Sequence, residues 1–300
     1  MVKRLISATA SEIAQMNSAE QLQSIAASEG RVVVSENVVT KDPAVDDISN
    51  AELASAFGAD IVLLNAFDVL NPAVRGIETD NDQQVVKEIK RLTGRLVGTN
   101  LEPVNLHADM VEDMIEIPEG RQATKTSLAA AEKLGLDFIC LTGNPGTGVD
   151  NSTIVEAVKL AKDIFSGFII AGKMHGAGVN EPVVDIDTVK SLLEADTDVI
   201  LVPAVGTIQG FSDEKLLEVC DLVHEQGKLV MSTIGTSQET SSVNTIENIA
   251  LRNKVCGVDI QHIGDAGFGG VATVENIYAL SVAIRGVRHT LASMARSINR

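Results

Sequence analysis

The chain has 300 residues, with 24 lysines and arginines against 41 aspartates and glutamates, giving a formal charge of −17. So acidic a composition disfavours nucleic acid and anionic membrane as partners, because both are bound through basic patches. A hydrophobic fraction of 45% beside 22% charged residues excludes disorder and fibre, and suits either two average domains or one large α/β barrel.

Residues 1–30 read as one or two helices that precede the first strand, a helical extension expected to cover the bottom of the domain or to meet another subunit. They lack the 7–15-residue apolar stretch of a signal peptide, and no apolar run approaches the ~20 residues that span a bilayer. The expected location is therefore the cytoplasm. Cys140, Cys220 and Cys256 are odd in number and far apart, without metal-ligand spacing, and read as reduced packing residues.

From Arg31 onward a short β-branched or apolar run recurs about every 30 residues, each followed by a polar loop and a helix-period segment. The runs start at Arg31 (RVVVSENVV), Asp60 (DIVLLNAF), Arg95 (RLVGTNLEP), Asp137 (DFICLTGN), Phe168 (FIIAGKMHG), Asp198 (DVILVPAVG), Lys228 (KLVMSTIG) and Val258 (VDIQHIG). Amphipathic helices lie between them, with Gly167, Gly227 and Gly257 expected as C-terminal stops and Asn151 or Ser152 and Asp187 as N-caps. Strands separated by helices pair in parallel with right-handed crossovers. Eight such units close into a (β/α)₈ barrel, here a single domain over 31–300. A long helix from Val271 to about Ile298 follows, carrying Arg285, Arg288, Arg296 and Arg300. Barrels of this kind commonly assemble, which leaves a homo-oligomer open.

Chemistry in this fold belongs to the C-terminal ends of the strands. Polar residues collect there: Glu36, Asn65, Asp68, Asn100, Glu102, Thr142, Asn144, Lys173, His175, His262 and Asp265. Strand alternation predicts that Lys173 and His175 point together into the mouth, above barrel layers filled by Ile169 and Ala171. Lys173 then reads as a Schiff-base nucleophile or an anion-holding cation. His175, Glu102 and Glu36 are the candidate proton-transfer groups, and Asn100 and Asn144 the donors to a developing oxyanion. Glu36, Asp68 and Glu102, or His262, are candidate ligands for Mg²⁺; no other cofactor is indicated.

Two glycine-rich loops end the barrel, STIGTSQ after strand 7 and HIGDAGFGG before the last helix. Barrel phosphate sites are commonly built from these loops and a helix N-terminus. The expected cradle is Gly235, Thr236, Ser237, Gly267, Gly269, Gly270 and Val271. GNPGTGVD, from Gly143, has P-loop glycine spacing without the Lys-Ser/Thr that completes it.

The strings SEGRVVVSE, SNAELASAFGADIVLLNAFDV, VGTNLEPV, GLDFICLTGNPGTGV, IIAGKMHGAG and HIGDAGFGG, spread over residues 28–280, resemble an uncharacterised bacterial family of phosphate-binding (β/α)₈ barrels. Some members are labelled haloacid-dehalogenase-like hydrolases. The resemblance implies the barrel and a phosphate site. It does not carry the dehalogenase label, because VVDIDTV, from Val183, follows a proline-containing loop where that chemistry needs the end of a parallel strand.

The reading is an enzyme of aldolase, lyase or isomerase type acting on a small phosphorylated metabolite such as a sugar phosphate. The alternatives are a metal-dependent hydrolase and a non-catalytic phosphosugar sensor.

Overall fold

The computed structural model describes residues 2–111 and 113–300. Eight strands form a closed parallel barrel in sequence order: β1 (Val32–Val38), β2 (Ile61–Asn65), β3 (Leu96–Leu101), β4 (Phe138–Leu141), β5 (Phe168–Gly172), β6 (Val199–Pro203), β7 (Leu229–Ile234) and β8 (Ile260–Ile263). The seam closes where β1 pairs with β8, Val32 opposite Ile260 and Val34 opposite His262. The protein is a (β/α)₈ barrel.

The helices are α1 (Ala10–Ala14), α2 (Ser18–Ala26), α3 (Asn50–Ala56), α4 (Val85–Thr93), α5 (Lys125–Leu134), α6 (Asn151–Lys162), α7 (Ile186–Glu194), α8 (Asp213–Glu225), α9 (Val243–Val255) and α10 (Val274–Ala295). Most begin on a short polar residue still in extended conformation, which supplies the acceptor that the first helical N–H groups lack. Two caps differ from expectation. Asp150, not Asn151 or Ser152, caps α6 by accepting from Thr153 N–H. Asp185, not Asp187, caps α7, taking both Asp187 N–H and Thr188 N–H. Gly167 is no helix stop, since α6 ends at Lys162; a Cβ there would lie 2.3 Å from the Asp137 carbonyl oxygen, so the glycine serves a close backbone approach.

Alternation along the strands sorts their side chains into two cores. Val32, Val34, Ile61, Leu63, Leu96, Phe138, Cys140, Phe168, Ile170, Val199, Leu201 and Met231 fill the barrel, continuous with Leu5, Ile6, Ile13 and Ile25 from the N-terminal segment. That segment closes the bottom of the barrel. Val62, Leu64, Val97, Ile139, Ile169, Ala171, Ile200 and Val230 instead meet the helices. Ile169 and Ala171 therefore lie on the opposite face of β5 from the one expected. A run apolar on both faces gives alternation nothing to discriminate, so the sequence leaves the parity of β5 open.

One inner layer turns on a glycine. Phe138 and Phe168 stack at 5.0 Å between ring centroids with planes 12° apart, and a Cβ on Gly98 would lie 2.5 Å from the Phe138 ring. The missing side chain makes the space that the ring occupies. The long terminal helix is kinked at Gly286 (φ 75°, ψ 163°). Arg285 just before it is buried, with Nη1 2.5 Å from Asp60 Oδ2, so this part of the basic tail is an internal tie. No helix among the described residues is long and apolar enough to cross a membrane.

Candidate active site

At the C-terminal mouth lies a cavity of about 170 Å³. Polar inner-face positions above the apolar layers, at the ends of β1, β2 and β3 and just past β4, line it. Glu36 ends the inner row of β1, Asn65 that of β2 and Asn100 that of β3, while Thr142 and Asn144 continue the row of β4. Gly235, Ser237, Glu239 and Asp265 enter from the loops after β7 and β8. No lysine or arginine lines the cavity.

Glu36 is held at both oxygens. Asn100 Nδ2 donates to Oε1 at 2.5 Å, and His262 Nε2 lies 2.9 Å from Oε2, with Glu36 and His262 both buried. Their register explains the meeting, since β1 sits between β2 and β8 in the barrel and β3 lies one strand further. Beside this group Asp265 Oδ2 accepts from Asn65 Nδ2 at 2.7 Å. Burial pushes the Asp265 carboxyl up to about 8, helped by the charges of Glu36 and Glu239 and opposed by the Asn65 hydrogen bond. At neutral pH Asp265 is thus predominantly a carboxylic acid that can give a proton.

His175 also lines the cavity. Its Nδ1 accepts from Ala177 N–H at 3.0 Å, which puts the ring proton of the neutral form on Nε2. Burial lowers its pKa, opposed by Glu36 and Glu102 and reinforced by the nearby Lys173 charge. A neutral imidazole with a fixed Nε2–H is a hydrogen-bond donor to an oxygen that gains charge.

Lys173 is not in the cavity. Gly172 (φ 145°) sits where a Cβ would lie 2.1 Å from the Leu201 carbonyl oxygen, and beyond it the regular alternation stops. Lys173 is buried with Nζ 2.5 Å from Glu181 Oε1, an oxygen that also accepts from Asn151 N–H at 2.8 Å. Only Met174 and His175 of this segment reach the mouth.

Several expected donors and ligands are already engaged. Asn144 gives both Nδ2 hydrogens to protein, to Asn65 Oδ1 and Glu102 Oε1, each at 3.0 Å. Glu102 further takes Arg121 Nη2 at 2.6 Å and Asn144 N–H at 2.9 Å. Asp68 closes its own turn on Leu70 N–H and Asn71 N–H. Glu36, Asp68 and Glu102 therefore do not converge as the expected Mg²⁺ ligands. Among the described residues, no three acidic, histidine or cysteine side chains form a group able to hold a metal ion.

The expected phosphate cradle divides. Gly235 and Ser237 line the cavity, whereas Gly267, Gly269, Gly270 and Val271 do not. A Cβ on Gly269 would lie 3.1 Å from Ala44, and one on Gly270 2.8 Å from Val38 Cβ, so these glycines let the last loop pack against the loop after β1. Val271 is buried among Val33, Ile263 and Ile277. Thr236 Oγ1 lies 2.8 Å from the Thr207 carbonyl and 2.5 Å from Gln238 Oε1. At the lip formed by β7 and β8 the ionisable lining groups are Glu239 and Asp265, with no cation beside them to balance a phosphate.

Glu239 is the site residue that sequence reasoning missed. It stands in a Ser/Thr-rich loop that reads as a surface turn, yet it is buried, accepting Ala266 N–H on Oε1 at 2.9 Å while Oε2 has no partner. Asp265 was visible as a strand-end acid, but nothing in the sequence gave its burial.

Fold and site together define a (β/α)₈ barrel with an acid-lined mouth cavity. The chain belongs to the family described as Domain of unknown function (DUF7916), whose model matches residues 6–300. No curated protein matches the chain. Among solved structures, it is similar to the triclinic form of 2,3-dimethylmalate lyase, a PEP mutase/isocitrate lyase superfamily member, at 16% identity and TM-score 0.51, over 83% of this chain and 81% of that one. The trigonal form gives 16% identity and TM-score 0.50 over 85% and 80%. A putative phosphonomutase from Burkholderia cenocepacia J2315 gives 15% identity and TM-score 0.46 over 81% and 91%. At such identities the likeness establishes the barrel fold alone.

Proposed function

We propose that the protein is an enzyme of lyase or isomerase type that moves protons on a small hydroxylated carbonyl compound in the mouth cavity. The observation that carries this reading is the pairing of two unlike acids. Asp265 is held protonated by burial, next to Glu36, whose oxygens are fixed by Asn100 and His262. Two neighbouring carboxyl groups in unlike environments are the usual way to provide an acid and a base at one pH.

Glu36 takes a proton from carbon next to the carbonyl, and the electron pair moves to the carbonyl oxygen. His175 Nε2–H steadies that oxygen, and the Asp265 acid gives its proton either to it or to a departing hydroxyl or alkoxide oxygen. Lys173 acts from behind, its charge helping to keep His175 neutral. With carboxyl groups and no cation on the lining, the reacting portion of the substrate is uncharged and rich in hydroxyls. A sugar phosphate fits this scheme only with its phosphate outside the cavity. The lyases that share the fold are precedent for this reaction class on such a scaffold.

Deuterium uptake from heavy water tests the reading without knowledge of the product. Hydroxy-ketones, hydroxy-acids and sugar phosphates are incubated with the protein and followed by proton NMR. Exchange next to the carbonyl that is lost in Glu36→Gln is expected; exchange that survives both Glu36→Gln and Asp265→Asn sinks the mechanism.

A further inference from the structure

A second cavity lies at the opposite, N-terminal end of the barrel. Its volume is about 420 Å³, and it is bounded by α1, the end of α4, the start of β3 and residues 298–300. Its charge is opposite to that of the mouth. Lys90, Arg91, Arg95 and Arg300 line it with one acidic side chain, Asp137, on a chain whose formal charge is −17.

Two of these cations are already balanced. Lys90 Nζ lies 2.8 Å from Asp137 Oδ1, and Arg91 Nη2 lies 2.5 Å from Glu88 Oε1. Asp137 is further occupied by Val97 N–H on Oδ2 at 2.8 Å. Arg95 and Arg300 have no carboxylate within salt-bridge distance among the described residues. Arg95 is half-buried, and its Nη2 donates only to the neutral oxygens of Ser293, Oγ at 3.0 Å and the carbonyl at 3.1 Å. Its Nε is buried without any acceptor. Asp60, whose charge acts on Arg95, accepts from Arg285 Nη1, Val33 N–H and Ser293 Oγ. Burial disfavours the charged form of Arg95, opposed by the Asp60 charge and reinforced by those of Arg285 and Arg296. Arg95 lines the cavity without a carboxylate partner, so the part of its guanidinium that stays accessible is open to an anion held there.

We propose that this cavity is a second binding site, for a small oxyanion of the phosphate or pyrophosphate type, held by Arg95 and Arg300 with Arg91 at its rim. It lies on the face of the barrel remote from the chemistry, so its occupant acts on stability or regulation and is not turned over. It also separates two roles that the sequence suggests for one place, since the acidic mouth is left to the reacting carbons.

Titration calorimetry with inorganic phosphate and with pyrophosphate, against chloride at matched ionic strength, tests the site. Arg91 and Arg300 are exposed, so Arg91→Ala and Arg300→Ala keep the fold. Saturable binding is expected, weakened about tenfold or more when both are replaced, as for loss of charge-assisted hydrogen bonds. Hydrogen exchange should slow in residues 10–14 and 90–96 on adding pyrophosphate. The proposal is overturned if neither anion binds, or if Glu239→Gln at the mouth alters binding and the Arg91/Arg300 pair does not.

Discussion

Asn65 Nδ2 donates to Asp265 Oδ2 at 2.7 Å, tying the end of β2 to the loop that follows β8. The same Nδ2 reaches Asn144 Oδ1 at 3.0 Å, so three strand ends are fixed around one acid. This bond favours the charged form of Asp265, but burial and the neighbouring carboxylates outweigh it.

That balance makes stability depend on pH. Between the ordinary carboxylate range and about 8, the folded protein keeps a proton that the unfolded chain has lost. Stability from this group is therefore present at low pH and is lost as pH rises toward and through about 8, with a limiting slope of ~1.4 kcal/mol per unit. Asp265→Asn cannot ionise. Its melting temperature should gain on wild type from pH 5 to pH 9, and its turnover should fall by ~10²–10⁴-fold. Parallel pH curves for the two proteins would contradict the assignment.

His175→Phe should lower kcat by ~10²–10³-fold with a smaller change in KM, because the Nε2–H is asked to act on charge that develops only during reaction. His175→Gln keeps an N–H donor and should retain more activity than His175→Phe. Equal losses in the two variants would reduce His175 to a packing residue.

Lys173→Met removes the partner of Glu181 and the positive neighbour of His175. The loss of stability should be ~1–3 kcal/mol, moderate because Glu181 is partly solvated and keeps the Asn151 amide. The His175 titration midpoint should rise, since the Lys173 charge lowers it; NMR of the ring protons reads this directly. Borohydride with a carbonyl substrate should trap no adduct at Lys173.

In the barrel, Gly98→Ala pushes a methyl group into the Phe138 ring and should cost ~1–3 kcal/mol by overpacking. Phe138→Ala should cost ~3–5 kcal/mol by opening a cavity beside Phe168. Urea denaturation checks both, and Gly98→Ala combined with Phe138→Leu should recover part of the loss.

The architecture was legible because it repeats. Each run from Arg31 to Val258 holds a strand, as each reads as an apolar segment between turn signals. Glu36, Asn100, Asn144 and His175 are expected from their positions at strand ends, and all four line the mouth cavity. What failed was local geometry. A strand apolar on both faces hides its parity, and Lys173 shares the helix-facing parity of Ile169 and Ala171, so it stays out of the mouth. The glycines of the last loop looked like an anion cradle because the same residue that admits a phosphate also admits a neighbouring backbone. Charge balance inside a cavity depends on which loops fold over it, so only the fold shows Glu239 at the mouth and the burial of Asp265.

The seam between β1 and β8 joins residues more than two hundred positions apart, Val34 with His262 among them. Until the final strand emerges from the ribosome, β1 presents unpaired backbone along a valine-rich segment whose two faces are both apolar. A nascent or proteolytically shortened chain without residues 258–300 would therefore carry an open, sticky edge, and self-association through Val32, Val33 and Val34 should compete with closure.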